Sequence, residues 1–458
     1  MGAIHPIDSV IYGERYSDPA MRRLFEEQNI QGERLRFEAV VAEEQAQMGI
    51  IPVAAAAEIA RTCNVDRVRL ERIAQLTAET SNDIVALVRA AGEQMSAEAA
   101  EYLHYGLTSQ DVHITGQALV LKEAAALLEE GMEGLEAVLV GMAAQYRDTV
   151  MIGRTYGQHA LPITFGFKLA GWAYVLNQQR RAFGQLKERL LVGSVRGAVG
   201  THAVWGEAGL ELEQRVLARL GLGCSPISLQ PSEERYGEFL NWCALMSTFL
   251  GRLCADMRRM QHTEVGEVHE QFETGKQVSS STMPHKRNPV WSEAMQGVAY
   301  KIRSNAQAML SVFQEYERDD TRNPAEQLLI AESTILTHKM IVTVRDGLKN
   351  LEVDEARMRR NMDLTGGLIA AERLTFELAQ RSDAKQTAHA AVNRSAMRAV
   401  EEGIPFATAL EEDEFVSRFM GGEQIRSLIA EAKEEVGTAR LQVDRIVKAL
   451  RGGQEAMC

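Results

Sequence analysis

Phe239-Leu-Asn-Trp-Cys-Ala-Leu-Met-Ser-Thr-Phe-Leu-Gly-Arg-Leu-Cys-Ala-Asp-Met-Arg-Arg-Met260 places apolar side chains at Phe239, Cys243, Met246, Leu250, Leu253, Met257 and Met260. The steps alternate between four and three residues, which on a helix turning about 100° per residue keeps them on one seam. Trp242, Leu245 and Phe249 add a second apolar stripe beside it. One partner helix cannot cover both stripes, so this helix is expected to be buried on several sides, by other helices of the chain or by other subunits.

The same pattern recurs at Leu128, Met132, Leu135, Leu139 and Met142, followed beyond Arg154 by an apolar stretch through Phe165, Leu169 and Trp172. No proline occurs from Val53 to Leu161 or from Ala325 to Ile404, which leaves long helices uninterrupted. Residues 1–103 hold shorter amphipathic pieces with stops near Gly49 and Pro52 and read as an N-terminal helical domain. Residues 104–350 read as a central long-helix bundle. Residues 351–458 resume the helical period as a C-terminal domain, ending in a helix from about Gly422 to Leu450. No sustained period-2 alternation is evident, so the expected class is all-α.

With 458 residues, 45% of them hydrophobic, the chain is long enough for several domains with sizeable cores. Its net charge of −13, with no block of like charge, argues against nucleic acid as a partner. Five cysteines and no C-x-x-C pair argue against a disulfide framework or a zinc ribbon. The first residues lack a basic and apolar leader pattern, and no run of about 18 apolar residues occurs, so the expectation is a soluble, cytoplasmic protein without a membrane partner.

Helical periodicity stops at Thr274-Gly-Lys-Gln-Val-Ser-Ser-Ser-Thr-Met-Pro-His-Lys-Arg-Asn-Pro289. Gly275 and the three serines Ser279 to Ser281 allow a mobile loop, and Asn288-Pro289 is a good helix start. A helix N-terminus preceded by Lys286 attracts carboxylates and phosphates. A polar helix connection explains the composition equally well. Likewise Thr108 and Ser109 read first as caps of a helix beginning near Asp111, and His104, His159 and His285 as structural histidines. His262, His269, Glu264, Glu267 and Glu270 have spacings compatible with metal ligation, but read better as a helix continuing with a solvated charged face. No metal and no cofactor is assigned.

Ser280 to Pro289 resembles the signature G-S-S-x-M-P-x-K-x-N-P of the fumarase/aspartase superfamily at every position after the first glycine, which here is Ser279. His104-Tyr-Gly-Leu-Thr-Ser-Gln-Asp111 and Gly153-Arg-Thr-Tyr-Gly-Gln-His-Ala160 resemble two further motifs of that family. Tyr12-Gly-Glu-Arg-Tyr-Ser17 and Tyr316-Glu-Arg-Asp319 are similar to pieces of adenylosuccinate lyases, and Met358 to Gly367 to 3-carboxy-cis,cis-muconate cycloisomerases. The resemblance implies a homotetramer with a 20-helix core and active sites built from three subunits. It implies reversible anti β-elimination from a succinyl group of a small di- or tricarboxylate, releasing fumarate. It gives Ser280 the role of base. Lys286, Asn288 and loop amides would hold the carboxylate, and Thr108, Ser109, Thr155 and Gln158 would grip the succinyl portion. Arg15, Tyr16, Asn82, Ser281 and Arg318 complete the expected substrate-binding set.

The chain departs from adenylosuccinate lyases where their chemistry is most specific. Tyr156 stands where those enzymes carry the histidine of R-T-H-G, and Asn82 where they carry that of E-T-x-H-D. Gln327 replaces an arginine of S-S-A-E-R, and Ser232-Glu-Glu-Arg235 replaces Q-R-D-R. A purine nitrogen needs a proton as it leaves, and a phosphate needs cations. The expectation is therefore a lyase acting on a substituted succinate or aspartate, cleaving C–N or C–O, with Tyr156 as acid and His159 as second choice. The alternatives are a muconate-cycloisomerase-type isomerase, an adenylosuccinate lyase of purine synthesis, and an inert structural homologue.

Overall fold

The computed structural model describes residues 4–228, 234–273, 275–278, 280–312, 316–317 and 322–452. Ser232, Glu233, Thr274, Ser279 and the expected substrate ligand Arg318 lie outside the described residues. The elements that matter here are, in order, α1 (Glu27–Gln47), α2 (Asp83–Gly92), α3 (Ser109–Gln145), β1 (Val150–Thr155), β2 (Gln158–Thr164), α4 (Phe165–Leu190) and α5 (Glu234–Met260). There follow β3 (Val268–His269), α6 (Val290–Met309), α7 (Asn323–Lys349), β4 (Glu352–Val353) and α8 (Glu355–Asn361). The class is all-α, with four short strands among the described residues. No described helix is long and apolar enough to cross a membrane.

The chain divides into two compact units, each containing part of the five long helices: residues 1–133, 179–250 and 297–342, and residues 134–178, 251–296 and 343–458. In the first, Phe183 of α4 stacks on Trp242 of α5 with ring centroids 4.3 Å apart, and the indole N–H donates to the Gln179 carbonyl at 3.1 Å. A Cβ on Gly131 of α3 would stand 3.2 Å from Ile341 of α7, so that glycine sets how closely the two helices approach. Asn305 of α6 donates to Ser333 of α7 at 3.1 Å. In the second unit Asn177 of α4 donates to Glu136 of α3 at 3.0 Å, and Lys168 of α4 pairs with Asp256 of α5 at 2.8 Å. Trp291 of α6 packs on Gly347 of α7 so tightly that a Cβ there would meet the indole at 2.5 Å.

All seven seam positions from Phe239 to Met260 are buried, as the spacing requires. Of the second stripe Trp242 and Phe249 are buried within the chain, while Leu245 stays 60% exposed. Three expectations are corrected. The expectation of no strands fails between Met142 and Phe165, where β1 and β2 form an antiparallel hairpin with an irregularity between Ile152 and Arg154. Its two-residue turn, Tyr156-Gly157, has φ of +52° and +78°, the positive pair that matches strand twist in a tight hairpin. The C-terminal helix is two helices, Gly422–Ala432 and Ala439–Arg451, parted where Gly437 takes φ +52°. Finally, α5 stops at Met260, and Glu267 and Glu270 are buried rather than solvated.

The approach to α3 is a strained turn backed by α1. His104 has φ +62° and Gly106 φ +79°. Gln45 of α1 donates to the Tyr105 carbonyl at 2.8 Å, and Trp205 lies where a Gly106 side chain would be, 2.3 Å from an added Cβ. Gly106→Ala is expected to combine left-handed strain with overpacking and to destabilise by at least about 2 kcal/mol, read as a fall in melting temperature by calorimetry; an unchanged transition would refute this reading of the turn.

Candidate active site

The expected site residues fall into sets on separate pieces of the fold, and each unit is described by itself. In the first unit α3 begins at Ser109, and the Asp111 carboxylate accepts from the Thr108 amide at 3.2 Å. Asp111 is fully buried and also accepts from the Ser194 hydroxyl at 2.7 Å, the Arg196 amide at 3.0 Å and the Gly197 amide at 2.9 Å. It thus ties the Thr108-Ser109 backbone to the 194–197 strap. Thr108 and Ser109 themselves are half-buried at the helix start. In the sequence Asp111 marks a motif end and a helix start, and nothing there signals a buried acceptor.

Asn82 caps α2, its side chain accepting from the Val85 amide at 2.9 Å. The next residue, Asp83, pairs with Arg34 at 2.9 Å and His113 at 3.2 Å. Burial would raise the Asp83 carboxyl, but His113 and Arg34 together hold it well below the usual carboxylate range. Arg15 is exposed, its guanidinium 5.9 Å from the Tyr16 ring centre.

His104 lies 2.6 Å from the buried Glu38 carboxylate. Burial alone would lower the imidazole pKa, yet Glu38 outweighs it and the net shift is upward. A group raised on folding stabilises fully below its unfolded pKa of about 6.5 and loses that contribution as pH rises through the folded value.

In the second unit the hairpin carries Thr155, Tyr156, Gln158 and His159 together. Its tip is open: Tyr156 is 103% exposed, and Thr155 and Gln158 are exposed too. Below the tip, Arg154 makes a two-pronged ion pair with Glu267 at 2.9 and 2.6 Å. Glu267 is fully buried and also accepts from Asn361 of α8 at 2.8 Å. His159 is half-buried, and its pKa is lowered by burial and by Arg154 against the opposing pull of Glu267. The downward shift favours the neutral imidazole, which weakens His159 as second-choice acid.

The signature loop carries Ser280, Ser281, Lys286 and Asn288. Ser280 is half-buried, and its hydroxyl oxygen accepts from the amides of Thr282 at 3.4 Å and Met283 at 3.0 Å. Ser281 and Lys286 are exposed, and Asn288 is half-buried. The following helix terminus is not open to a ligand as expected. The amides of Trp291 and Ser292 are both taken by the buried Glu270 carboxylate, at 3.0 and 3.1 Å. Glu267 and Glu270 are thus not a helix surface, and the sequence sign of the helix end is Gly266, which takes φ +57°. Among the described residues no three His, Cys, Asp or Glu side chains converge as a metal centre.

Known proteins match this chain along nearly its whole length. The lyase family pattern covers residues 14–304, and the adenylosuccinate lyase C-terminus pattern residues 367–446. The adenylosuccinate lyase of Methanocaldococcus jannaschii is 38% identical over 451 residues, covering 98% of this chain and 96% of that relative. The N-acetyl-S-(2-succino)cysteine lyase of Dickeya dadantii is 33% identical over 451 residues, covering 98% of each. The crystal structure of the 3-carboxy-cis,cis-muconate lactonizing enzyme from Pseudomonas putida superposes with TM-score 0.87 at 33% identity, covering 95% of this chain and 98% of that one.

Two outcomes are expected from this geometry. Glu267→Ala leaves the Arg154 guanidinium without its buried partner and should cost about 3 kcal/mol, seen as a lowered melting temperature; a loss below about 1 kcal/mol would mean the pair is dispensable. The wild-type melting temperature should carry a component that falls as pH rises above about 6.5, and His104→Asn should remove it; an identical pH profile in the variant would count against the Glu38–His104 pair.

Proposed function

This chain belongs to the fumarase/aspartase superfamily, in its adenylosuccinate lyase-like branch, and from that premise we propose that it releases fumarate from a substituted succinate or aspartate carrying a small polar leaving group rather than a nucleotide. The reaction is reversible anti β-elimination. A proton leaves the carbon next to one carboxylate, negative charge builds on that carboxylate, and the substituent departs from the neighbouring carbon.

The observation that carries this reading is the environment of Ser280. A free hydroxyl is a feeble base near neutrality, and two backbone amides aimed at its oxygen favour the deprotonated form. Lys286 and Asn288, on the same loop, supply the further positive charge and donors that a developing carbanion requires. Thr108, Ser109, Thr155 and Gln158 bind the succinyl portion, and Tyr156 delivers the proton to the leaving group. A hairpin tip bare to water cannot shield a carbanion, so the proposal includes a homotetramer in which neighbouring subunits close each site.

The substrate reading rests on what replaces the nucleotide-handling groups. Asn82 is engaged as a helix cap and Tyr156 replaces a histidine, so protonation of a purine nitrogen has weak support. Gln327 is neutral and exposed, and nearby Arg322 is buried against Glu326 at 3.3 Å. Neither of these two described residues offers an exposed cation to a phosphate. The similarity to N-acetyl-S-(2-succino)cysteine lyases points the same way. A thiol, with a pKa of about 8.5, leaves as its anion far more readily than an amine and asks little of an acid.

The test is a panel of N-succinyl amino acids, N-acetyl-S-(2-succino)cysteine, 3-carboxymuconate and adenylosuccinate, followed by fumarate absorbance and by NMR of products. Small succinyl compounds should turn over, and Ser280→Ala should lower kcat by about 10²- to 10⁴-fold. Faster turnover of adenylosuccinate than of every small compound would overturn the substrate assignment, and isomerisation without fumarate would overturn the elimination.

A further inference from the structure

The segment that carries Ser280 starts after Glu270 and ends at α6, and the Glu270 side chain joins those two flanks. Glu270 is the last residue before the loop and is 8% exposed. Its amide donates to the Gln261 side chain at 2.9 Å, fixing it to the turn after α5. Its carboxylate reaches the far end of the loop, accepting from the Trp291 amide at 3.0 Å and from both the amide and the hydroxyl of Ser292, at 3.1 and 2.5 Å. Ser292 is fully buried. The segment leading to Glu270 is itself tied down: His269 pairs with Glu352 in the β3–β4 ladder, and Glu267 holds Arg154 and Asn361.

A helix start needs acceptors for its free amides, and a neighbouring Ser, Thr, Asn or Asp normally supplies them. Burying a full carboxylate from 21 residues upstream is a costlier solution if capping is all that is required. It does something a local cap cannot. It joins the two flanks of the segment, so that Ser280 is carried between fixed ends.

We infer that Glu270 is a positioning residue for Ser280: by clamping the start of α6 to the end of the 261–270 segment it sets where the Ser280 loop stands during proton removal. The inference rests on the reading of Ser280 as the base. Glu270 itself contacts no substrate, since its carboxylate is spent on α6.

Glu270→Ala and Glu270→Gln in the full chain test this, beside Ser280→Ala as reference. Hydrogen exchange should show the Trp291 and Ser292 amides losing protection by at least about tenfold in Glu270→Ala, with the rest of the fold unchanged. In the same variant kcat per folded protein should fall by about 10- to 100-fold, the scale of a small misplacement of a reacting group. Glu270→Gln keeps an acceptor without the charge and should recover part of the kcat. Unchanged exchange at Trp291 and Ser292 would overturn the clamp whatever the substrate. Full turnover by Glu270→Ala beside an inactive Ser280→Ala would overturn the positioning role alone, whereas full turnover by Ser280→Ala would sink the base assignment and leave the clamp to be judged by exchange.

Discussion

A carboxylate removed from water must find donors for its lone pairs, and in this chain that requirement organises the chemistry-bearing segments. Asp111, Glu267 and Glu270 are each buried, and each takes its donors from stretches distant in sequence. Asp111 ties the start of α3 to the 194–197 strap. Glu267 ties the β1–β2 hairpin to α8 through Arg154 and Asn361. Glu270 ties the two ends of the signature loop. An irregular segment buries few apolar groups and has no ladder of its own. A satisfied buried charge is one of the few devices that fixes such a segment without adding secondary structure.

The helical frame was plain in the sequence for a physical reason. A seam of seven positions at alternating steps of four and three leaves one geometry that buries all of them, and all are buried. The hairpin was hidden because its strands do not alternate cleanly. The order along β1 is three buried residues, two half-buried and one exposed, and a displaced register at Gly153 breaks the period. What marked it was the turn. Tyr156-Gly157 needs positive φ at both positions, which glycine tolerates and tyrosine does not favour. A tyrosine held there is placed by the hairpin rather than by its own preference.

Site residues divide in the same way. Ser280, Lys286 and Asn288 stood out through the resemblance of Ser280 to Pro289 to the superfamily signature, because on composition a polar helix connection explains the run equally well. Asn82 was legible as a position, but its engagement as the cap of α2 was not, since capping depends on where the helix begins. Glu267 and Glu270 were the least legible. Glu, His and Gly after an amphipathic helix have the composition of a solvated end, and only the partners Arg154, Asn361 and Ser292, at least 22 residues away, turn them inward.

The Glu270 contacts also constrain how the proposed elimination would gather positive charge. A helix N-terminus carries roughly half a unit of positive charge, and in α6 that charge faces a full internal carboxylate. The helix end therefore cannot be the main attraction for a substrate carboxylate whose charge grows in the transition state. In the proposed reaction that task passes to the exposed Lys286, while the amides of Thr282 and Met283 serve the Ser280 oxygen. Arg287, also exposed, is drawn instead over the Phe272 ring at 5.2 Å and toward Glu352 at 4.0 Å. Holding Lys286 and Ser280 on one segment with pinned flanks would keep the proposed stabilising charge and the proposed base together.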